Sequence, residues 1–112
     1  MSGGKTSPEG ESVLSGIDRI IHEPARMLIT SLLSVVEQAD FLFLMSHTGL
    51  TAGNLSSHLT KLEEAGYVTV EKRFVGKKQN TRLSLTDLGR AAFEEYRRSI
   101  KGLLDESESE GS

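Results

Sequence analysis

The chain has 112 residues, 13 Lys and Arg against 16 Asp and Glu for a net charge of −3, and 37% apolar residues, the composition of one ordinary globular domain. It has no cysteine, which excludes a disulfide framework, a thiolate zinc site, an iron–sulfur cluster and a cysteine nucleophile. The longest apolar stretch, Met27 to Val36, is interrupted by Thr30, Ser31 and Ser34 and is too short to span a membrane, and the N-terminus carries no apolar signal core.

The acidity is concentrated at the ends. Residues 105–112 (DESESEGS) hold four acids and no base, and residues 1–15 are poor in apolar side chains, so both are expected to be disordered tails. The body, residues 16–104, carries a net charge of +2. Within it the segment KRFVGKKQNTR contributes Lys72, Arg73, Lys77, Lys78 and Arg82 with no acid. A local cationic patch on a near-neutral body suits a polyanionic partner, although charge alone fits a solvated hairpin equally well.

In chain order, Ile17 to Ile21 reads as a short helix or turn. Pro24 then opens a helix predicted to reach Gln38, carrying Leu28, Leu32, Leu33, Val35 and Val36 at helical spacing. Asp40 is placed to cap a short second helix over Phe41, Leu42, Leu44 and Met45, which Thr48-Gly49 stops. Thr51 offers the N-cap of a third, with Leu55, Leu59 and Leu62 along one stripe and Ala65-Gly66 as its end. Tyr67 to Arg73 and the run TRLSL alternate as strands around a turn with Gly76 at its tip. Thr86 caps a last helix with Leu88, Ala92, Tyr96, Ile100 and Leu103 on one stripe, roughly 28 Å long if it ends near Leu104. The fold class is therefore mainly α with an α+β hairpin: three helices, a β-hairpin and a long C-terminal helix.

A short helix, a tight Gly-containing turn (HTGLT) and a polar-faced helix have the shape of a helix-turn-helix, and a hairpin directly after it is a wing. The segment LTAGNLSSHLTKLEEAGYVTVEKRFVGKKQNTRLSLTDLGRAAFEEY, Leu50 to Tyr96, resembles the winged-helix core of MarR-like and ArsR-like transcriptional regulators. His22 to Leu44 is similar to that family's opening helices. The resemblance implies a prokaryotic, cytoplasmic, homodimeric regulator of double-stranded DNA, paired through its terminal helices.

The residues support the same roles. On a helical wheel Leu59 and Leu62 lie close to Leu55, and the opposite face carries Gly53, Asn54, Ser57, Thr60 and Lys61, with Ser56 and His58 on the flanks. An apolar ridge with a small, polar opposite face suits a helix lying in a major groove, where Asn54 could bridge an adenine edge and Lys61 meet phosphate. The DNA-contacting set is thus Thr51, Gly53, Asn54, Ser56, Ser57, His58, Thr60 and Lys61 from the helix. Lys72, Arg73, Lys77, Lys78 and Arg82 of the wing complete it. A solvated amphipathic helix is the bland alternative, and the neighbouring basic wing tips the balance.

With Phe93, Ile100, Leu103 and Leu104 the last helix carries more apolar surface than so small a body would cover, which points to a dimer, and the resemblance implies pairing through that helix with help from Ile17, Ile20 and Ile21. His22, His47 and His58 lack carboxylate or cysteine partners at ligand spacing, so no metal or other cofactor is expected. Phosphate-loop, HExxH and GxSxG motifs are absent, which argues against an enzyme. The competing reading is a winged-helix protein-interaction module, since fold does not fix function. An unidentified small-molecule effector stays open as a further partner.

Overall fold

The computed structural model describes residues 16–111, and the expected N-terminal tail, residues 1–15, lies outside them. Residues 17–21 form turns that lead into α1 (Pro24–Ser34), which has proline at its start and Glu23 as N-cap, the carboxylate accepting from the Arg26 N–H at 2.9 Å. This helix buries Ile29, Thr30 and Leu33, while Leu28 and Val35, expected on the apolar stripe, are exposed. Thr30 is satisfied by donating to the Arg26 and Met27 carbonyls.

Helix α1 stops at Ser34 and not at Gln38, because the chain beyond it has other partners. Ser34 turns its hydroxyl back onto the Ser31 carbonyl. The Arg90 guanidinium takes the carbonyls of Ser34 and Val36 at 3.4 and 3.0 Å. Ala39–Asp40 then form β1, a two-residue strand that the sequence pattern does not announce.

Asp40 also caps α2 (Phe41–Thr48), its carboxylate accepting from the Phe43 N–H at 2.7 Å, and Gly49 at φ 73° ends that helix in the left-handed region. Helix α3 (Ala52–Glu64) follows with Thr51 accepting from the Asn54 N–H, and Leu55, Leu59 and Leu62 buried. Strands β2 (Val68–Val75) and β3 (Lys78–Leu85) pair antiparallel in an unbroken register from Val68↔Leu85 to Val75↔Lys78. Strand β1 adds Ala39↔Leu83 and Asp40↔Arg82, so the sheet order is β1-β3-β2 and β2 is an outer edge. Gly76, at φ 67°, opens the two-residue loop at the hairpin tip.

Helix α4 (Asp87–Gly111) is capped by Thr86, whose hydroxyl accepts from the Gly89 N–H at 2.9 Å. It runs about 37 Å at 1.5 Å per residue and extends well past Leu104. Residues 105–111 are thus helical, not the disordered tail that composition suggested. Ion pairs at helical spacing line its outer face, among them Lys101 with Asp105 at 3.0 Å.

Two apolar clusters hold these elements. The larger joins Ile29, Leu33 and Leu44 to Leu55, Leu59, Leu62, Val68, Leu83 and Leu85, uniting the three helices with the sheet. The smaller packs Ile17 and Ile21 against Phe93 and Tyr96 of α4.

Candidate nucleic-acid interface

Period-two alternation in an unbroken register assigns every wing residue to a face. Val68, Val70, Lys72 and Phe74 share the side that packs on α3 with Leu85, Leu83, Thr81 and Gln79, their partners in β3. Glu71, Arg73 and Val75 share the reverse side with Arg82, Asn80 and Lys78. The wing cations are therefore divided. Lys72 joins Ser56, Thr60 and Glu63 of α3, Phe41 of α2 and Thr81 in a cleft of about 310 Å³. A continuation of the cleft toward the tip adds Leu42 and Gln79. Lys77 and Lys78 are exposed at the tip.

Arg82 stands apart from that set. Its register neighbours are Glu71 on one side and Asp40 on the other, and its Nε donates to Asn80 Oδ1 at 2.9 Å. Arg73 is exposed but on the reverse face.

On α3 the polar side emerges as expected, with Thr51, Gly53, Asn54, Ser56, Ser57, Thr60 and Lys61 all exposed. His58 departs from the expectation. It is partly covered by the N-terminal segment, its Nδ1 lying 3.1 Å from Arg26 Nη1 and 3.8 Å from Glu23 Oε1. Both neighbours compete for one nitrogen, and the shorter contact makes Nδ1 an acceptor from Arg26. Burial works to raise the Glu23 carboxyl, but the Arg26 backbone N–H and the Arg26 charge outweigh it and hold the group below its ordinary value. His58 ties α3 to α1 and leaves the groove-facing set.

Sequence reasoning missed the residues that fix these elements. Arg26 also donates through Nε to the Ile20 carbonyl, and Asp18 accepts from the Ile20 and Ile21 N–H groups and from the Tyr67 hydroxyl. Burial, and then the hydrogen bond to Asp18, push the Tyr67 hydroxyl up to about 12. An arginine in the first turn of α1 and an aspartate in the segment before it carry no local pattern that would reveal partners as distant in sequence as His58 and Tyr67.

The expected dimer surface is also altered. Ile17, Ile21 and Phe93 are buried by their own chain, and Ile20 packs on the larger cluster, so these four do not form a free apolar face. Ile100 and Leu103 are partly buried and Leu104 is 64% exposed. Beside them Met27, Phe93, Tyr96 and Leu104 line a groove of about 520 Å³ between α1 and α4, edged by Arg97, Arg98 and Lys101. Among the described residues no group of three His, Cys, Asp or Glu is arranged to hold a metal ion, and no helix is long and apolar enough to cross a membrane.

Three helices around a shared core, a tight turn before a helix whose polar side is open, and a hairpin flanking that helix define a winged helix-turn-helix. The chain belongs to the winged helix DNA-binding domain family, whose model matches residues 25–104. It is 37% identical over 78 residues to an uncharacterised protein of Methanocaldococcus jannaschii, a match covering 70% of this chain and 85% of that one. Its fold is similar to that of a transcriptional regulator homologue from Pyrococcus horikoshii, at a TM-score of 0.78 and 27% identity over 88% of this chain and 96% of that one. YusO from Bacillus subtilis shares the fold at a TM-score of 0.70 and 18% identity, covering 89% of this chain and 70% of that one. The winged-helix core read from the motifs thus holds at the level of this family.

Proposed function

We propose that the chain is a prokaryotic, cytoplasmic transcriptional regulator that binds double-stranded DNA sequence-specifically as a homodimer. In this reading the exposed side of α3 enters the major groove and the wing tip meets the flanking phosphates. The observation that carries it is the continuity of one surface. Ser56 and Thr60 of α3 share a cleft with Lys72, the cleft continues along the hairpin past Gln79, and the two exposed lysines lie at the hairpin's tip. Asn54, Ser57 and Thr60 are the candidates for base edges, and Lys61, Lys72, Lys77 and Lys78 for phosphates.

The archaeal and bacterial sources of the similar proteins support the prokaryotic assignment. For the dimer, the exposed Leu104 and the groove beside it favour pairing through the outer part of α4, with Ile100 and Leu103 at its margin. Binding of the Lys77→Ala, Lys78→Ala double variant to bulk duplex DNA tests the whole reading. Weakened binding is expected. Binding equal to that of the unmodified chain refutes a wing contact and favours a protein-interaction module.

A further inference from the structure

The wing carries an aromatic side chain that neither the core nor the cationic patch accounts for. Phe74 is 73% exposed, two residues before the glycine at the tip. It stands opposite Gln79 on the face that bears Lys72 and Thr81, the side of α3, and so on the surface argued above to meet DNA. Within four residues of it lie Lys72, Arg73, Lys77 and Lys78, and between those four there is no acid.

That setting selects the occupant. Strand β2 is an outer edge, and a strand edge studded with cations discourages pairing with a second copy of itself. The same cations attract a polyanion and would hold the ring against it. An apolar side chain at the tip of a basic hairpin has the chemistry of a wedge, which enters the minor groove and parts a base step while lysines fix the flanking backbone. Resting on the DNA-binding reading above, we propose that Phe74 wedges into the minor groove and opens a flexible pyrimidine–purine step, so that the wing selects deformable DNA as well as neutralising charge.

Charge alone predicts the opposite preference, because the narrow minor groove of a stiff A-tract attracts lysine and arginine more strongly than a TpA step does. The test uses the full chain and two duplexes of equal length, one with a central TpA step carrying 2-aminopurine and one with an A-tract. The chain should brighten the 2-aminopurine and bind the TpA duplex about tenfold more tightly. Phe74→Ala should bring that ratio to about one and abolish the brightening without changing the salt dependence, and Phe74→Leu should restore part of both. Lys77→Ala with Lys78→Ala should reduce the salt dependence on both duplexes and leave the ratio intact. A Phe74→Ala variant that keeps the ratio and the brightening overturns the wedge while leaving DNA binding in place. A salt dependence near zero for the unmodified chain overturns the DNA reading itself. A change of oligomeric state in Phe74→Ala reassigns the ring to a protein contact and equally rejects the wedge.

Discussion

Neutralising the wing tip gives a quantitative forecast. Of the five wing cations, Lys72 faces the α3 cleft and Lys77 and Lys78 stand free at the tip, whereas Arg82 is held by Asn80 between two acids in register and Arg73 lies on the reverse side. Three phosphate contacts per wing and one from Lys61 of each α3 make eight in a two-winged dimer and give a slope of log affinity against log salt of roughly −7, at about 0.9 per contact. Removing Lys77 and Lys78 from both wings should reduce it to roughly −4. Between 50 and 200 mM salt the unmodified chain would then lose affinity about ten-thousandfold, and the double variant about a hundredfold. Fluorescence anisotropy of a labelled duplex across a salt series measures both slopes. A monomer with one wing engaged would show about half of each value, so the same titration reports on the dimer. Arg82→Ala should leave the slope unchanged. Equal slopes for the unmodified and double-variant chains would refute the reasoning.

Other expectations concern the frame that carries this surface. Gly89→Ala would put a Cβ onto the Tyr67 carbonyl, 2.9 Å from its carbon, and displace the junction where that carbonyl accepts from the Thr86 N–H. Despite a gain of about 1 kcal/mol in helix propensity, a net loss of about 2 kcal/mol is expected, seen as a fall in Tm of about 10 °C in thermal denaturation. Tyr67→Phe should cost about 1 kcal/mol through loss of the Asp18 hydrogen bond. The native hydroxyl, pushed up to about 12, holds its proton longer than the unfolded chain's, near 10. Its contribution is full below pH about 10 and fades as the pH rises toward about 12, so melts in that window should fall more steeply for the unmodified chain than for Tyr67→Phe. Leu104→Glu at the exposed end of the groove should yield a monomer by light scattering at micromolar concentration while the fold is retained, and a persisting dimer would move the interface elsewhere.

The elements whose signals are local could be read directly. Asp40, Thr51 and Thr86 cap the helices expected of them, the Leu55, Leu59 and Leu62 stripe is buried, and the alternation of β2 and β3 gives the hairpin and its tip. What escaped depends on distant partners. Ala39 and Asp40 have no strand character of their own and become a strand because the free edge of β3 reaches them. The end of α1 is set by Arg90, and the acid-rich end of the chain is helical because α4 already has a packed stem. Once that stem exists, each added turn gains hydrogen bonds without paying for a new nucleus. Composition correctly reports how little such a segment can bury and is silent on what it grows from.

His58 shows how the interface residues depend on the rest of the chain. Its place on the flank of α3 left it equally able to face a groove or a neighbouring helix, and Arg26 decides by bonding to its ring. The same arginine grips the Ile20 carbonyl, and the turn containing Ile20 is anchored by Asp18 to Tyr67 at the root of β2. Recognition helix and wing are therefore joined twice, through the leucine core and through a polar clasp from the N-terminal turn. The core sets the distance between them, since it fills the space where Leu55, Leu62, Val68 and Leu83 meet. The buried stripe of Leu55, Leu59 and Leu62 fixes which side of α3 faces the core, and the bond at His58 adds a directional restraint on the same rotation. The clasp thus reinforces the presentation of the polar side of α3 beside Lys72, and a change confined to Asp18 or Arg26 should loosen the contact surface without touching any residue on it.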